Sequence, residues 1–315
     1  METKPSRSTF ATMSSLRVST LLLILVASGC VTAPYRFGSS AEYRTSSQLQ
    51  QITDEQIERG RPNMVVDAVG WVVGIPSKII LWDRRIENHN IGSETEASIA
   101  AYLEKNELST VKVRLNQYRP FDDWRRLVAN KSVGAGWRYT IGTLSVAGET
   151  LLPGRLLGGD HFNPYTNTIH LYSDVTSVAL HEAGHSKDFA RRTWKGTYAF
   201  AYGLPLVPLY HEAVATNDAI SYLASEGNAH DQQEAYEILY PAYSTYLAHE
   251  LDGGTGFLTV PVVIAGHLVG RVQAMRVPSR LAKQHARNHS RGHDRETATA
   301  TLENANVVDA SRIQD

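Results

Sequence analysis

The pentapeptide His181-Glu182-Ala183-Gly184-His185 (HEAGH) lies in the stretch of sequence that says most about the fold. Apolar residues recur at helical spacing around it, which predicts a helix of about 18 residues over 175–193. Ser173 and Asp174 just before this stretch are good N-cap residues. Side chains four residues apart share one helix face, so the two imidazoles of HEAGH can converge on one point while Glu182 lies beside them.

Two converging imidazoles with an adjacent carboxylate are a zinc-site pattern. Zinc in a hydrolase takes three protein ligands and keeps a fourth position open. The third ligand should lie outside the motif helix, and Glu212 is the best candidate, in a helix-forming stretch over 209–219. His211 beside it is the alternative, because imidazole is as good a zinc donor as carboxylate.

At these residues the chain resembles the zincin metallopeptidases, and among them the gluzincin type, in which a Glu from a following helix completes the site. The resemblance covers roughly residues 110–225. It implies one zinc ion held by His181, His185 and Glu212, with Glu182 as general base. It also implies an α+β fold, in which a small mixed sheet lies next to the active-site helix and the C-terminal lobe is mainly helical. The metzincin pattern does not fit, because Asp188 and Arg191 stand where it needs Gly and His.

The chain departs from the gluzincin pattern at one position. Gluzincins often place an Asp four residues after the ligand Glu, where it holds a ligand His; here that residue is Thr216, with Asp218 two positions later. Threonine can accept a hydrogen bond but supplies no charge. The residues that could support the ligands or bind an oxyanion are His211, Thr216, Asp218 and Tyr210, together with Tyr198, Tyr202 and Tyr222.

The N-terminus has the pattern of an export signal. The apolar run 21–27 follows Arg17 and ends in Ala27-Ser28-Gly29-Cys30. Small residues before a Cys at this place resemble the lipobox of bacterial lipoproteins. The resemblance implies that residues 1–29 are a signal peptide and that Cys30, the only Cys of the chain, is lipidated. Translation could begin at Met1 or Met13.

The lipobox also implies where the protein is found. A lipid on Cys30 would attach it to a membrane of the bacterial cell envelope. Val31 and Thr32 lack the acidic residue that usually retains lipoproteins at the inner membrane. In a cell with two membranes, this favours the outer membrane, with the protein facing the periplasm.

The rest of the chain divides by composition. Residues 30–51 are predicted to tether the lipid to the folded part, and 52–275 to form the zincin-like domain, with a helical N-terminal part (52–108) and a catalytic core (about 110–252). Residues 276–315 are predicted as a tail, first basic and then disordered. The net charge of −1 and pI near 6.9 argue against nucleic acid as a partner. No sequence feature indicates an oligomeric state.

Local patterns predict several further elements. Thr53 with Gln56 and Ser93 with Glu96 have the spacing of capping boxes. Strands are predicted at 111–115, 137–146 and 168–172, the last either as an edge strand that holds an extended substrate or as a plain core strand. A kinked buried or interfacial helix is predicted over 64–82, and a buried helix over 256–269.

Together these features favour a membrane-anchored zinc metallopeptidase that hydrolyses peptide bonds in envelope polypeptides. Two alternatives remain at the level of sequence. One is a zinc amidase acting on cell-wall peptides, which would use the same chemistry in a different cleft. The other is a non-catalytic lipoprotein with a zincin-like fold that binds or scaffolds an envelope partner.

Overall fold

The computed structural model describes residues 34–280. The predicted signal peptide (1–29), Cys30 and the tail beyond 280 lie outside the described residues. Within 34–280 the chain is α+β, mostly helical, with one mixed sheet of four strands. The coarse fold class predicted from the sequence is therefore correct.

The sheet contains β1 (Ile57–Arg59), β2 (Lys112–Leu115), β3 (His161–Asn163) and β4 (Thr168–Leu171), in the order β1-β2-β4-β3. β1, β2 and β4 are parallel, and β3 is antiparallel to β4. The predicted strands over 111–115 and 168–172 are present. Of the two alternatives for 168–172, the core strand is correct and the edge strand is wrong, because the chain turns back at 164–167 and β3 pairs along the outer side of β4.

Most of the other regular elements in the described residues are α-helices. They are α1 (Ser47–Gln51), α2 (Met64–Val73), α3 (Ile75–Leu81), α4 (Ser93–Lys105), α5 (Pro120–Ala129), α6 (Ala135–Trp137), α7 (Thr143–Leu151), α8 (Gly154–Leu157), α9 (Thr176–Arg191), α10 (Lys195–Ala201), α11 (Val207–Glu226), α12 (Ala229–Asp252) and α13 (259–280). A short 3₁₀ turn (Ser40–Glu42) precedes α1, and a π-helical turn (Arg138–Gly142) joins α6 to α7.

The HEAGH helix α9 lies at the centre of the molecule. It packs against α4, α11 and α12, and its apolar side chains join those of β2 and β4 in the main core. It begins at Thr176 without a side-chain cap. Asp174, predicted to cap it, instead accepts hydrogen bonds from Gly92 N and Thr95 Oγ1 at the start of α4. The predicted cap of α9 is therefore absent, and at the start of α4 the Asp174 carboxylate is present in place of the predicted Ser93–Glu96 capping box.

The strand predicted over 137–146 is wrong. This stretch is helical, running from α6 through the π turn into α7. Its buried residues Arg138, Gly142 and Val146 are four apart, which is helical and not strand spacing. Gly142 allows the turn to lie directly against Leu127 and Tyr165, since a Cβ there would be 2.9 Å from Leu127 Cδ1.

The segment over 34–56 also differs from expectation. The predicted tether is packed on the domain over its described part, 34–51: Leu49 is buried, and the Tyr35 hydroxyl donates to Asn106 Oδ1. Thr53 does not start a helix, because its hydroxyl donates to Leu49 O at the end of α1 and strand β1 follows.

The apolar stretch 64–82 forms α2 and α3, bent by 49° at the break around Gly74, as the predicted kink requires. Much of its apolar surface is exposed, including Val72 and Ile79. In the part of the chain that the structure describes, no single helix is long and apolar enough to cross a membrane, although this bent pair meets the criteria of length and composition. The predicted buried helix over 256–269 is instead the start of α13, which buries Val263 but exposes Val260 and Leu268.

Candidate metal centre

Two neighbouring side chains of α9 form the base of the site. His181 and His185 are one turn apart, and their rings are almost perpendicular, at 88°. Their Nε2 atoms lie 3.1 Å from each other. The helix therefore presents two imidazole nitrogens to a single point, as its sequence spacing predicts.

Glu212 of α11 completes a group of three donors. Its Oε2 lies 3.1 Å from His181 Nε2, and its Oε1 lies 3.4 Å from His185 Nε2. With metal–ligand bonds of about 2.0–2.1 Å, tetrahedral zinc separates its ligand atoms by about 3.3–3.4 Å. The three observed separations are close to that value, and those to Glu212 involve one carboxylate oxygen for each histidine. The three side chains could therefore hold a metal ion.

Further side chains hold these donors in place. Thr216 Oγ1 lies 3.3 Å from His181 Nδ1, at the position where the gluzincin pattern has Asp. The Tyr202 hydroxyl donates to Glu212 Oε1 at 2.8 Å. Such outer contacts fix the orientation of ligand side chains and the tautomer of a ligand histidine.

The two carboxylates in this pocket, Glu212 and Glu182, have pKa values shifted in opposite directions. Burial opposes ionisation of Glu212, but His185 and His181 outweigh it and hold the pKa of Glu212 well below its usual range. Burial raises the pKa of Glu182, and the nearby Glu212 charge adds to that shift, while the two histidines oppose it. Glu212 is thus an ionised donor, whereas Glu182 has the greater affinity for a proton.

Three residues predicted near the metal lie apart from the donor group. Asp218 binds Lys187 Nζ through Oδ1 at 2.7 Å and accepts from tyrosine hydroxyls through Oδ2. His211 is buried with its ring stacked on Tyr198 at 4.2 Å, and neither of its nitrogens has a hydrogen-bond partner. Tyr210 is half exposed at the start of α11. Of the two adjacent candidates for third ligand, the structure brings Glu212, and not His211, to the histidines.

The sequence reasoning missed Tyr246 of α12. It shares a hydrogen bond with Tyr202 and is close enough to Glu212 and Glu182 for their charges to raise its pKa, after the larger effect of burial. Tyr243, one turn earlier, is influenced by Glu212 in the same way. The i,i+3 spacing of these tyrosines on a predicted helix was the available signal, but nothing in the sequence placed that helix beside HEAGH.

A second group of potential metal ligands occurs in the described residues: Glu149, His161 and His170. Their ligand atoms lie within 4.8 Å of one another. The spacing of these residues follows no motif, since they come from α7, β3 and β4, and the sequence reasoning did not identify them.

No protein-family model, curated protein or solved structure matches this chain.

Proposed function

We propose that this protein is a zinc-dependent peptidase with a zincin-like active site. The observation that carries the proposal is the convergence of His181, His185 and Glu212, with separations suited to zinc, beside the buried carboxylate of Glu182. A structural zinc site would usually close its fourth coordination position and would not need an adjacent base.

Each residue has a distinct task in peptide hydrolysis. When bound, zinc supplies Lewis acidity that polarises the scissile carbonyl and acidifies a water molecule. Glu182 takes the proton from the attacking water, and its raised pKa lets it hold that proton and pass it to the leaving amine. Glu212, which stays ionised, serves as a ligand and not as a base.

The tyrosines near Glu212 suit a role in stabilising charge on the substrate. Tyr202 donates its one proton to Glu212, so in its hydrogen bond with Tyr246 the donor is Tyr246. Tyr246 is the candidate donor to a developing oxyanion, for which it would exchange its bond to Tyr202. Their pKa values are raised, so both hydroxyls keep their protons at neutral pH.

An extended substrate would be held by β3. This strand is at the edge of the described sheet, and Glu182 is close enough to His161 to influence its pKa. Strand addition along the outer edge of β3 would bring a peptide past Glu182. β3 thus takes the role that the sequence assigned to 168–172.

The place of action follows from the lipobox resemblance. With Cys30 lipidated, the protein would be anchored in the bacterial envelope, on the outer membrane facing the periplasm in a two-membrane cell. Envelope polypeptides are then the substrate class. An amidase acting on cell-wall peptides would use the same residues, and a set of peptide and cell-wall substrates would separate the two.

The experiment compares zinc content and casein hydrolysis in the wild type, Glu182→Gln and Glu212→Gln, with Glu226→Gln as an α11 control whose side chain is partly exposed, away from the donors. Glu182→Gln should keep zinc in the HEAGH site and lose hydrolysis by at least about 100-fold. Glu212→Gln should lose that zinc and all activity, whereas Glu226→Gln should match the wild type. A zinc content of Glu212→Gln equal to that of the wild type, or hydrolysis by Glu182→Gln, would contradict the proposal.

A further inference from the structure

The second ligand group lies on the sheet face opposite the main core. His161 and His170 are directly paired across β3 and β4, and their rings stack with centroids 4.7 Å apart. Ile169 and Leu171, the neighbours of His170, point into the core, so His170 points to the other face. Glu149 reaches the pair from α7.

Two buried polar atoms of this group have no hydrogen-bond partner. These are His170 Nε2 and Glu149 Oε2, which lie 4.0 Å apart, too far for a hydrogen bond. His170 is only 5% exposed. Buried polar atoms nearly always have a hydrogen-bond partner. Two such atoms without one, next to His161 as a third possible ligand, need an explanation.

The hydrogen bonds that do exist orient the side chains as ligands. His161 Nδ1 lies 3.0 Å from Gly159 O and, in the tautomer that donates there, turns the Nε2 lone pair toward Glu149. Asn163 Nδ2 donates to Glu149 Oε1 at 2.7 Å and fixes the carboxylate. A backbone carbonyl behind the imidazole and a donor behind the carboxylate are what metal ligands typically have.

An ion pair between the protein groups alone explains less. His161 Nε2 lies 3.1 Å from Glu149 Oε1, which satisfies those two atoms but leaves His170 Nε2 and Glu149 Oε2 open. Arg114, which is paired in register with His170 across β2 and β4, is already in ion pairs with Asp122 and Asp123. A divalent cation would bind all three side chains at once.

We propose that Glu149, His161 and His170 bind a second divalent cation of the zinc class. Two imidazoles and one carboxylate are a donor set for a late first-row metal ion such as Zn²⁺. The ion would join the edge strand β3 to β4 and to α7. The second site shares no donor with the HEAGH site, which has its own three.

The test measures zinc bound by the full chain at equilibrium in a zinc-buffered solution at neutral pH. The wild type should bind two zinc equivalents. His170→Gln should keep only the equivalent in the HEAGH site, and Glu212→Gln only the equivalent in the second site. The variant with both His170→Gln and Glu212→Gln should bind no zinc. Glu149→Gln, at a side chain less buried than His170, should repeat the His170→Gln result if the latter unfolds, with circular dichroism as the check on folding.

Two controls exclude unspecific binding by histidine. His230→Gln removes an exposed imidazole on α12 and should leave two equivalents. A variant with glutamine at His285, His289 and His293, which are spaced to bind metal in the tail, should also leave two.

The outcomes separate this inference from the proposed function. If the wild type binds one zinc equivalent and Glu212→Gln binds none, the second site is overturned. It is also overturned if a second equivalent is lost only in the tail variant. If the wild type binds one equivalent, which Glu212→Gln keeps and His170→Gln loses, the second site is supported and the proposed peptidase is contradicted.

Discussion

Gly184 of α9 lies directly against the backbone of Ala215 in α11. A Cβ on Gly184 would be 3.1 Å from Ala215 O and 3.2 Å from Ala215 Cα. Glycine inside a helix is unfavourable by about 0.5–1 kcal/mol relative to alanine. The close contact with Ala215 gives a packing reason for a glycine at this position of HEAGH. The close approach of the two helices brings Glu212, less than one turn from Ala215, within reach of both histidines.

We therefore expect Gly184→Val to push α11 away from α9. Overpacking should lower the free energy of unfolding by about 1–3 kcal/mol and weaken zinc binding, because Glu212 moves with its helix. Urea unfolding and competition with a chromophoric chelator would measure the two effects. Gly148→Ala is the control, since nothing lies within 4 Å of a Cβ there, and it should raise stability by about 0.5–1 kcal/mol. Normal zinc affinity in Gly184→Val would contradict the argument.

Local spacing was sufficient to predict the part of the site that one helix forms. The positions of His181, Glu182 and His185 follow from 3.6 residues per turn. Residue chemistry left Glu212 and His211 open as third ligand, and the resemblance to gluzincins favoured Glu212. The group of Glu149, His161 and His170 could not be predicted, because its members meet only through strand pairing and the packing of α7 on the sheet. Tyr246 lies beside Glu212 for a similar reason, the packing of α12.

The errors in the fold have the same origin. The β-branched and aromatic residues of 137–146 favour a strand locally, but burial of Arg138, Gly142 and Val146 on one side selects a helix. The composition of 34–51 is that of a linker, yet its few apolar residues, such as Leu49, find partners on the domain. In both cases tertiary packing overrides a local preference.

Thr216 should support zinc binding through its contact with His181. Thr216→Val keeps the shape of the side chain but removes the oxygen that lies 3.3 Å from His181 Nδ1. We expect zinc affinity to fall by about 10–100-fold, as is typical when an outer partner of a ligand histidine is lost. Thr216→Ser should restore most of it, and Thr245→Val on α12 should have no effect. A competition titration at constant pH measures all three, and equal affinities for Val and wild type would exclude this role.

Lys195 should make stability depend on pH. Its Nζ donates to Ala190 O at the end of α9, and burial lowers the pKa of Lys195 to about 7, despite the opposing charge of Asp188 and with small contributions from Arg44 and Arg192. An unfolded lysine binds its proton below about pH 10.4. Between these values the unfolded state holds more protons, so the free energy of unfolding should rise as pH increases from 7 to 9.5.

Lys195→Met removes the group responsible for that slope. We expect the variant to show a flatter dependence between pH 7 and 9.5. Its stability relative to the wild type should therefore fall as pH rises, because the cost of burying the lysine charge is removed while the bonds to the end of α9 are lost. Lys131→Met, at an exposed residue, should keep the wild-type slope. Urea unfolding at several pH values gives the comparison, and parallel curves for Lys195→Met and the wild type would show that Lys195 remains charged in the folded protein.

Asp218 should stabilise the fold without contributing to the metal site. It is the charge partner of Lys187, whose buried Nζ also donates to Tyr35 OH and Arg36 O, so the pair fastens the N-terminal segment to α9 and α11. Asp218→Asn leaves a buried ammonium without its counter-charge, and the free energy of unfolding should fall by about 3–5 kcal/mol. Adding Lys187→Met should recover much of that loss. Glu226→Gln, which breaks the more exposed pair with Lys105, should cost less than about 1 kcal/mol.

The zinc affinity of folded Asp218→Asn should equal that of the wild type, because Thr216, and not Asp218, contacts a ligand histidine. A weaker affinity with the fold intact would assign Asp218 to the support of the site.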